Sequence, residues 1–252
     1  MSRRMGLLLP TLLVLVAAVC IRLGVWQLHR LGERRARNRV ASTALALPVA
    51  DLDSVPPDQL AHRRVRARGH YDHAHQVIQR GLTLNDVPGV HVVTPLVLDG
   101  GRGTILVKRG FVPAPDAVSA RVDSLDEPGN VEVSGIALSL ESRPDSGMPL
   151  RHAGITTWAR LDLALRTRLP YAIAGIYILQ LPDPALPRLP RRLAPPPLDD
   201  GPHLSYALQW FGFATTALVV GAIFLFRSSA SAHPSARSSG SMDASSAGDA
   251  SP

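Results

Sequence analysis

The chain has 252 residues, which is enough for one ordinary domain with additional segments. Its formal net charge is +7, but the arginines are scattered and no aromatic residues are interleaved with them. This pattern argues against nucleic-acid binding and is typical of attraction to a membrane surface. The single cysteine, Cys20, excludes an intrachain disulfide, a cysteine-based zinc site and a dithiol redox motif.

Two apolar stretches, residues 5–26 and 204–226, predict membrane-spanning helices. Each would be about 33 Å long as a helix, which matches a hydrocarbon core of about 30 Å. The first stretch could instead be a secretory signal, since it follows a basic leader and contains Val16-Ala17-Ala18 as a cleavage-like site. A lipoprotein signal ending at Cys20 fits less well because Val19 is bulky. We interpret the stretch as an uncleaved anchor.

The segment between the spans, residues 27–181, has the pattern of a β-domain. A charged helical continuation is predicted over Glu33–Arg39, loosening by Pro48. Seven later stretches are short, rich in β-branched residues and often alternating, which predicts strands. They read RRVRARGHYD, HQVIQR, VHVVTPLVLD, TILVKRGFV, VEVSGIAL, TTWARLD and IYILQL. Asp99–Gly103 predicts a hairpin turn between two of them, and LDLALRTRL is the one clear helical piece.

The chain around the second span has a distinct composition. Residues 182–203 form a predicted spacer and helix start, with seven prolines between Pro182 and Pro197. Residues 227–252 are rich in Ser, Ala and Gly and predict a disordered tail. The expected fold is therefore a membrane protein of α+β class. Two transmembrane α-helices would flank a mostly antiparallel extramembrane β-domain, for which a barrel is one suitable form.

Catalytic signatures are scarce in this sequence. It contains no Walker loop, no G-x-S-x-G elbow and no H-E-x-x-H, so nothing supports a hydrolytic or redox enzyme. The stretch GHYDHAH invites a metal-site interpretation, because His73 and His75 would share one face of a strand. Short polar runs of this kind usually form solvated turns, which is the interpretation we favour.

The ends of the two spans that join the insert carry more information about function. LGVWQLHR closes the first span and HLSYALQWF opens the second. Because the insert joins these two ends, both must lie at the same membrane face. On helices with 100° per residue, small residues form one stripe in each span. The stripes are Ala17, Cys20 and Gly24 in the first span, and His203, Ala207, Trp210, Ala214, Ala217 and Gly221 in the second.

Small side chains allow helices to approach closely, or they leave a bay for a flat ligand. Tyr206 lies at the edge of the second stripe and His203 opens it. Asp200 is the predicted N-cap, and a helix N-terminus disfavours a positive charge. A neutral imidazole with a free lone pair is the form that binds haem iron, and Arg22 and Arg30 could then meet propionate groups. The alternative is an interfacial His, Tyr and Trp belt that anchors the helix.

Several separated motifs resemble the surfeit locus protein 1 family of cytochrome c oxidase assembly factors. They are LGVWQLHR near the first span; GHYDHAHQV, GVHVVTPLVLDGGR and LVKRGFVP in the insert; and HLSYALQWF in the second span. The match runs from about residue 23 to 227 in the right order. Two departures are visible. Gly201 stands where the family usually has Asn, and the family's NRGW pattern reads Lys108-Arg109-Gly110-Phe111.

The resemblance implies a protein of the bacterial plasma membrane that binds haem a and assists its insertion into the oxidase. His203 would be the iron ligand, with Tyr206 and Trp210 as pocket-wall or interface residues. Trp26, Gln27 and Arg30 would contact the partner subunit or the haem edge. The expected partners are the oxidase catalytic subunit, the haem a-producing enzyme and the lipid bilayer. A cofactor-free scaffold that stabilises an oxidase assembly intermediate is the alternative.

The resemblance also implies an orientation that charge alone leaves undecided. Arginines flank the first span on both sides, and the positive-inside rule is weak for translocated domains longer than about 60 residues. The resemblance places residues 1–4 and 227–252 in the cytoplasm and the β-domain outside.

This orientation predicts the activity of alkaline phosphatase fusions, since that enzyme matures only after export. A fusion after Pro252 should be inactive, whereas a fusion after Pro197, which lacks the second span, should be active. The opposite result in equally expressed fusions would contradict an external β-domain.

Overall fold

A computed structural model describes residues 3–142, 149–152 and 155–230 of the protein. The described residues divide into two compact units, one within residues 1–34 and 200–252 and the other within residues 35–199. Two apolar helices thus flank a sheet-rich domain in sequence, which confirms the predicted fold class.

Both predicted spans lie in long helices. Helix α1 is Arg3–Ala46 and helix α2 is His203–Ala230, and each is long and apolar enough to cross a membrane. The charged continuation of the first helix is confirmed, because α1 ends only two residues before Pro48, which disfavours helical geometry just ahead of it. The N-cap prediction is wrong. Since α2 begins at His203, Pro202 and not Asp200 precedes its first residue.

Small residues bring the two helices into direct contact. Ala17 and Cys20 of α1 are buried in one apolar cluster with Ala214 and Ala217 of α2. A Cβ atom placed on Gly24 would lie 2.7 Å from Cε1 of Phe211, so only glycine admits the ring this closely. The predicted stripes therefore face each other. The small residues were predicted either to let the helices approach closely or to leave a bay for a flat ligand. At these positions they let the helices approach closely.

The described part of the β-domain contains nine strands in one sheet. In chain order they are β1 (Ala50–Asp51), β2 (Arg64–Tyr71), β3 (Val77–Leu84), β4 (Val87–Leu98), β5 (Thr104–Pro113), β6 (Asn130–Ser139), β7 (Leu150–His152), β8 (Ile155–Trp158) and β9 (Ile173–Gln180). All seven predicted strand stretches overlap strands of this set. The predicted turn at Asp99–Gly103 joins the antiparallel pair β4 and β5.

Five of the strands close on themselves. The order β2-β6-β9-β5-β4 is completed by a direct pairing of β2 with β4, in which Gly69 lies opposite Leu98. Only the β5–β9 pair of this ring is parallel. Strands β3, β8 and β7 extend the sheet beyond β4. Closure leaves these five strands with few free edges and gives a small barrel.

Alternating side chains fill the barrel. Strand β2 alternates strictly between exposed and buried positions, which is the expected pattern for a strand with one face on a core. The buried face of the ring carries Val65, Ala67, Leu96, Ile105, Val107, Val133, Ala137, Ile176 and Ile178.

One predicted local structure is confirmed and one differs from the observed form. His73–His75 forms a 3-10 turn ahead of β3, so the favoured turn interpretation is confirmed and the alternative, in which His73 and His75 share a strand face, is excluded. The predicted helical piece is a 3-10 helix over Leu163–Thr167 only, and the Asp162 carboxylate accepts a hydrogen bond from the Ala164 backbone N–H at its start.

A buried charge network fastens the proline-rich segment to the barrel. The Arg109 side chain is fully buried, and its guanidinium pairs with the Glu127 carboxylate at 2.7 Å. Arg192 pairs with the same carboxylate oxygen and also donates to the side-chain oxygen of Gln180 at 3.1 Å. Because burying one charge without a partner is costly, the three residues support each other.

The neighbouring backbone forms a second attachment. Phe111 and Arg191 exchange two backbone hydrogen bonds, of 2.8 and 2.7 Å. Gly110 has a φ of +151°, and a Cβ atom there would lie 2.5 Å from the Arg191 carbonyl oxygen. The glycine therefore permits the close approach of the segment to β5.

Gly110→Ala should destabilise the β-domain by roughly 2–4 kcal/mol, because the methyl group meets backbone and the φ angle is strained. Gly175→Ala is the matched control, since its Cβ position is open and the change should stay within about 0.5 kcal/mol. Thermal unfolding of the purified full chain measures both. Equal effects would show that the contact with Arg191 is unimportant.

The charge network predicts a pH dependence of stability. Burial acts to raise the pKa of the Glu127 carboxyl, but hydrogen bonds from Arg109 and Arg192 outweigh it and hold the pKa below the ordinary value of 4.5. This stabilisation is present above pH 4.5 and is lost as pH falls towards the folded-state pKa. Glu127→Gln should lower the free energy of unfolding by about 3–5 kcal/mol at neutral pH. It should also reduce the loss of stability that acid causes.

Glu132→Gln provides the comparison, because Glu132 also pairs with two arginines, Arg66 and Arg68, but at the surface. That change should lower the free energy of unfolding by roughly 0–1 kcal/mol. If unfolding curves from pH 3 to 7 show the same acid loss in Glu127→Gln as in the unmodified protein, the network is not its source.

Candidate functional site

The site is built where α2 begins and α1 passes beside it. His203 is the first residue of α2, and its Nδ1 lies 2.9 Å from Oε1 of Gln27 on α1. Both side chains are partly buried. Gln27 follows Gly24 by three residues and so lies on the same face of α1, one turn beyond the close contact with Phe211. The packing of the helices thus places the two polar groups within reach.

This contact selects one form of the imidazole. A glutamine side-chain oxygen can only accept, so His203 Nδ1 donates and carries the proton. In the neutral ring, Nε2 then keeps its lone pair. A histidine held through one nitrogen and free at the other is the arrangement found in metal-ligating histidines.

An aromatic strip follows His203 along α2. Tyr206, Trp210 and Phe213 lie three, seven and ten residues beyond the histidine, which places them on adjoining sides of the helix. The rings of Trp210 and Phe213 meet edge to face at 5.9 Å between centroids. Trp210 is partly buried against the small-residue cluster, whereas Tyr206 is 45% and Phe213 58% exposed. The strip offers an apolar aromatic surface on the helix that begins with His203.

The other predicted residues of α1 lie elsewhere on that helix. Trp26 is 53% exposed and, with Arg22 and His29, lines an apolar groove formed by α1 alone. At 100° per residue this groove faces away from the stripe that contacts α2. Arg30 is exposed and pairs with Glu33 at 2.6 Å. The structure therefore brings together His203, Gln27, Tyr206 and Trp210, but not Trp26 or Arg30.

Two features of the site were not predicted. Phe213 extends the aromatic strip, and its spacing from Trp210 could have indicated this. The pairing of Gln27 with His203 could have been inferred from the two stripes, because Gln27 continues the series 17, 20, 24.

The family departure at Gly201 also has a physical account. Its φ is +66°, a conformation that Gly adopts freely and that Asn tolerates better than other residues.

The histidine-rich turn forms a separate constellation in the β-domain. His75 Nδ1 lies 2.7 Å from the Asp72 carboxylate, and the Tyr171 hydroxyl donates to the same oxygen at 2.8 Å. Burial acts to raise the pKa of Asp72, but the hydrogen bonds from Tyr171 and His75 hold it below its ordinary value. Among the described residues, no group of three or more His, Cys, Asp or Glu side chains could hold a metal ion.

Comparison with known proteins identifies the family. The model of the SURF1 family matches residues 14–215. A SURF1-like protein of Rickettsia bellii is 28% identical over 215 residues, covering 82% of this chain and 86% of the relative. Surfeit locus protein 1 of Mus musculus is 29% identical over 150 residues, covering 52% of this chain and 48% of the relative. The resemblance seen in the separated motifs is confirmed, and the chain belongs to the SURF1 family.

Proposed function

We propose that this protein is a membrane-bound biogenesis factor for cytochrome c oxidase that binds haem a and assists its insertion into the catalytic subunit. The observation that carries the proposal is the hydrogen bond between His203 and Gln27. It holds the imidazole in the form that leaves Nε2 free for iron. Family membership supports the coarser role in oxidase assembly.

The residues around His203 suit a haem. Nε2 would bind the iron, and the strip of Tyr206, Trp210 and Phe213 would pack against the apolar ring. Because the small residues close the helix pair, the haem would lie on the outer side of the pair and not between the helices. Trp26 and Arg30, which are exposed away from this site, would contact the partner subunit.

The exposed position of the strip suits delivery of a cargo. A haem enclosed between the helices could leave only if they separated, whereas a haem on the outer side can pass sideways to a partner in the same membrane. Such a transfer exchanges only the coordination bond to the iron and leaves the haem chemically unchanged, so we infer an assembly factor and not an enzyme. The acceptor would be the oxidase catalytic subunit, and the donor would be the haem a-producing enzyme.

The protein would lie in the bacterial plasma membrane with both termini in the cytoplasm and the β-domain outside. His203 and Gln27 would then be near the outer membrane face, since each lies close to the end of its apolar stretch that joins the β-domain.

The haem proposal predicts distinct effects for two histidines. The protein purified from cells that make haem a should carry haem, seen as a Soret band and measured as pyridine haemochrome. His203→Ala should lose the haem. His29→Ala is the matched control, because His29 lies on the opposite side of α1, and it should retain the haem.

Gln27 provides a second test. Gln27→Leu keeps the size of the side chain but removes the acceptor, and haem affinity should fall roughly 10–100-fold. Gln27→Glu keeps an acceptor and should bind haem more tightly than Gln27→Leu. Unchanged haem occupancy in His203→Ala would exclude His203 as the ligand. Co-purification with oxidase subunits from a strain unable to make haem a would then favour the cofactor-free scaffold.

A further inference from the structure

A pocket of about 590 Å³ lies in the β-domain beside the histidine-rich turn. Most of the described residues that line it come from the turn, from β3 and β8, and from the 3-10 helix that follows β8 and its C-terminal end. Among them are His75, Val77, Trp158, Leu165 and Arg168. The volume falls within the range of about 300–1,000 Å³ that is usual for small-molecule sites.

The base of the pocket is apolar and firmly packed. Trp158 is 5% and Leu165 1% exposed, and both belong to one core cluster with Val77. Trp158 lies on β8, where it pairs directly with Gln79 of β3. A base made of an indole ring and aliphatic side chains suits a flat or aliphatic body.

The polar lining of the pocket includes one arginine. Arg168 follows the 3-10 helix, is exposed, and has no hydrogen-bond or ion-pair partner for its guanidinium among the described residues. None of the described lining residues is acidic. A ligand with a negative group would therefore find a free guanidinium and no repelling carboxylate in this lining.

His75 adds a second donor with a fixed orientation. Its Nδ1 is engaged by the Asp72 carboxylate, which the Tyr171 hydroxyl also holds. Nε2 is therefore the nitrogen left for a ligand. In the imidazolium form of the ring, Nε2 is a hydrogen-bond donor and can meet an acidic group.

We propose that this pocket binds a small amphiphilic carboxylate, whose acidic group is met by Arg168 and His75 and whose apolar body rests on Trp158 and Leu165. The site lies wholly within the β-domain and uses none of the residues proposed for haem binding. It therefore goes beyond the proposed function, and the two can be tested separately.

Photoaffinity labelling tests the site directly. The probe is 4-benzoylbenzoate, an aromatic carboxylate that crosslinks on irradiation, applied to the full chain in detergent. Peptide mapping by mass spectrometry should place the crosslinks within residues 156–169. The neutral amide 4-benzoylbenzamide should label this region roughly tenfold less, because it lacks the charge that strengthens the hydrogen bonds.

Two arginines in the same segment provide the variant and its control. Arg168→Gln should lower labelling by the carboxylate roughly tenfold. Arg166→Gln should not change it, since Arg166 is exposed in the same 3-10 helix and does not line the pocket. His75→Gln should lower it, and His203→Ala should leave it unchanged.

Equal labelling by the carboxylate and the amide would overturn the proposal, as would labelling that is unaffected by Arg168→Gln. Crosslinks confined to the membrane helices would overturn it as well. Loss of haem in His203→Ala has no bearing on these results, so failure of one proposal is distinguishable from failure of the other.

Discussion

The contact between His203 and Gln27 depends on how closely two apolar helices can pack. Lipid tails are as apolar as leucine, so packing and hydrogen bonds, and not burial from water, hold membrane helices together. The small residues from Ala17 to Gly24 let the helix backbones approach. Only at that separation can a glutamine side chain on one helix reach an imidazole on the other. The orientation and tautomer of His203 are thus set by Gly24, which lies one turn from Gln27, and by small residues further along the two helices.

The parts of the fold that could be predicted are those whose sequence pattern lies within a single element. Alternation over six to ten residues located the strands, and apolar length located the spans, because both patterns are contained within single elements. Closure of the barrel was not predictable to the same degree, since it depends on pairs such as Gly69 with Leu98 that are distant in sequence. The buried network of Arg109, Glu127 and Arg192 escaped prediction for the same reason, although Arg109 lies within a family motif.

The site was predictable as far as helical periodicity extends. The stripe containing His203 is observed, and Gln27 lies on the matching stripe of α1. Trp26 is adjacent to Gln27 in sequence, yet a step of 100° per residue turns it towards the groove on α1. The N-cap was predicted wrongly because a helix start involves only two or three residues. Over so short a length a strand, a turn and a helix start share the same sequence pattern.

A closed helix pair has a consequence for how a cargo would be exchanged. The buried contacts of Ala17, Cys20, Ala214 and Ala217 do not involve the exposed faces of Tyr206 and Phe213. A haem resting on those faces would displace lipid and would leave the helix packing intact. The free energy of the helix pair would then be similar in the loaded and unloaded protein. Transfer would be governed by the competition between Nε2 of His203 and the acceptor's ligand for the iron, and no helix movement would be needed to release the cargo.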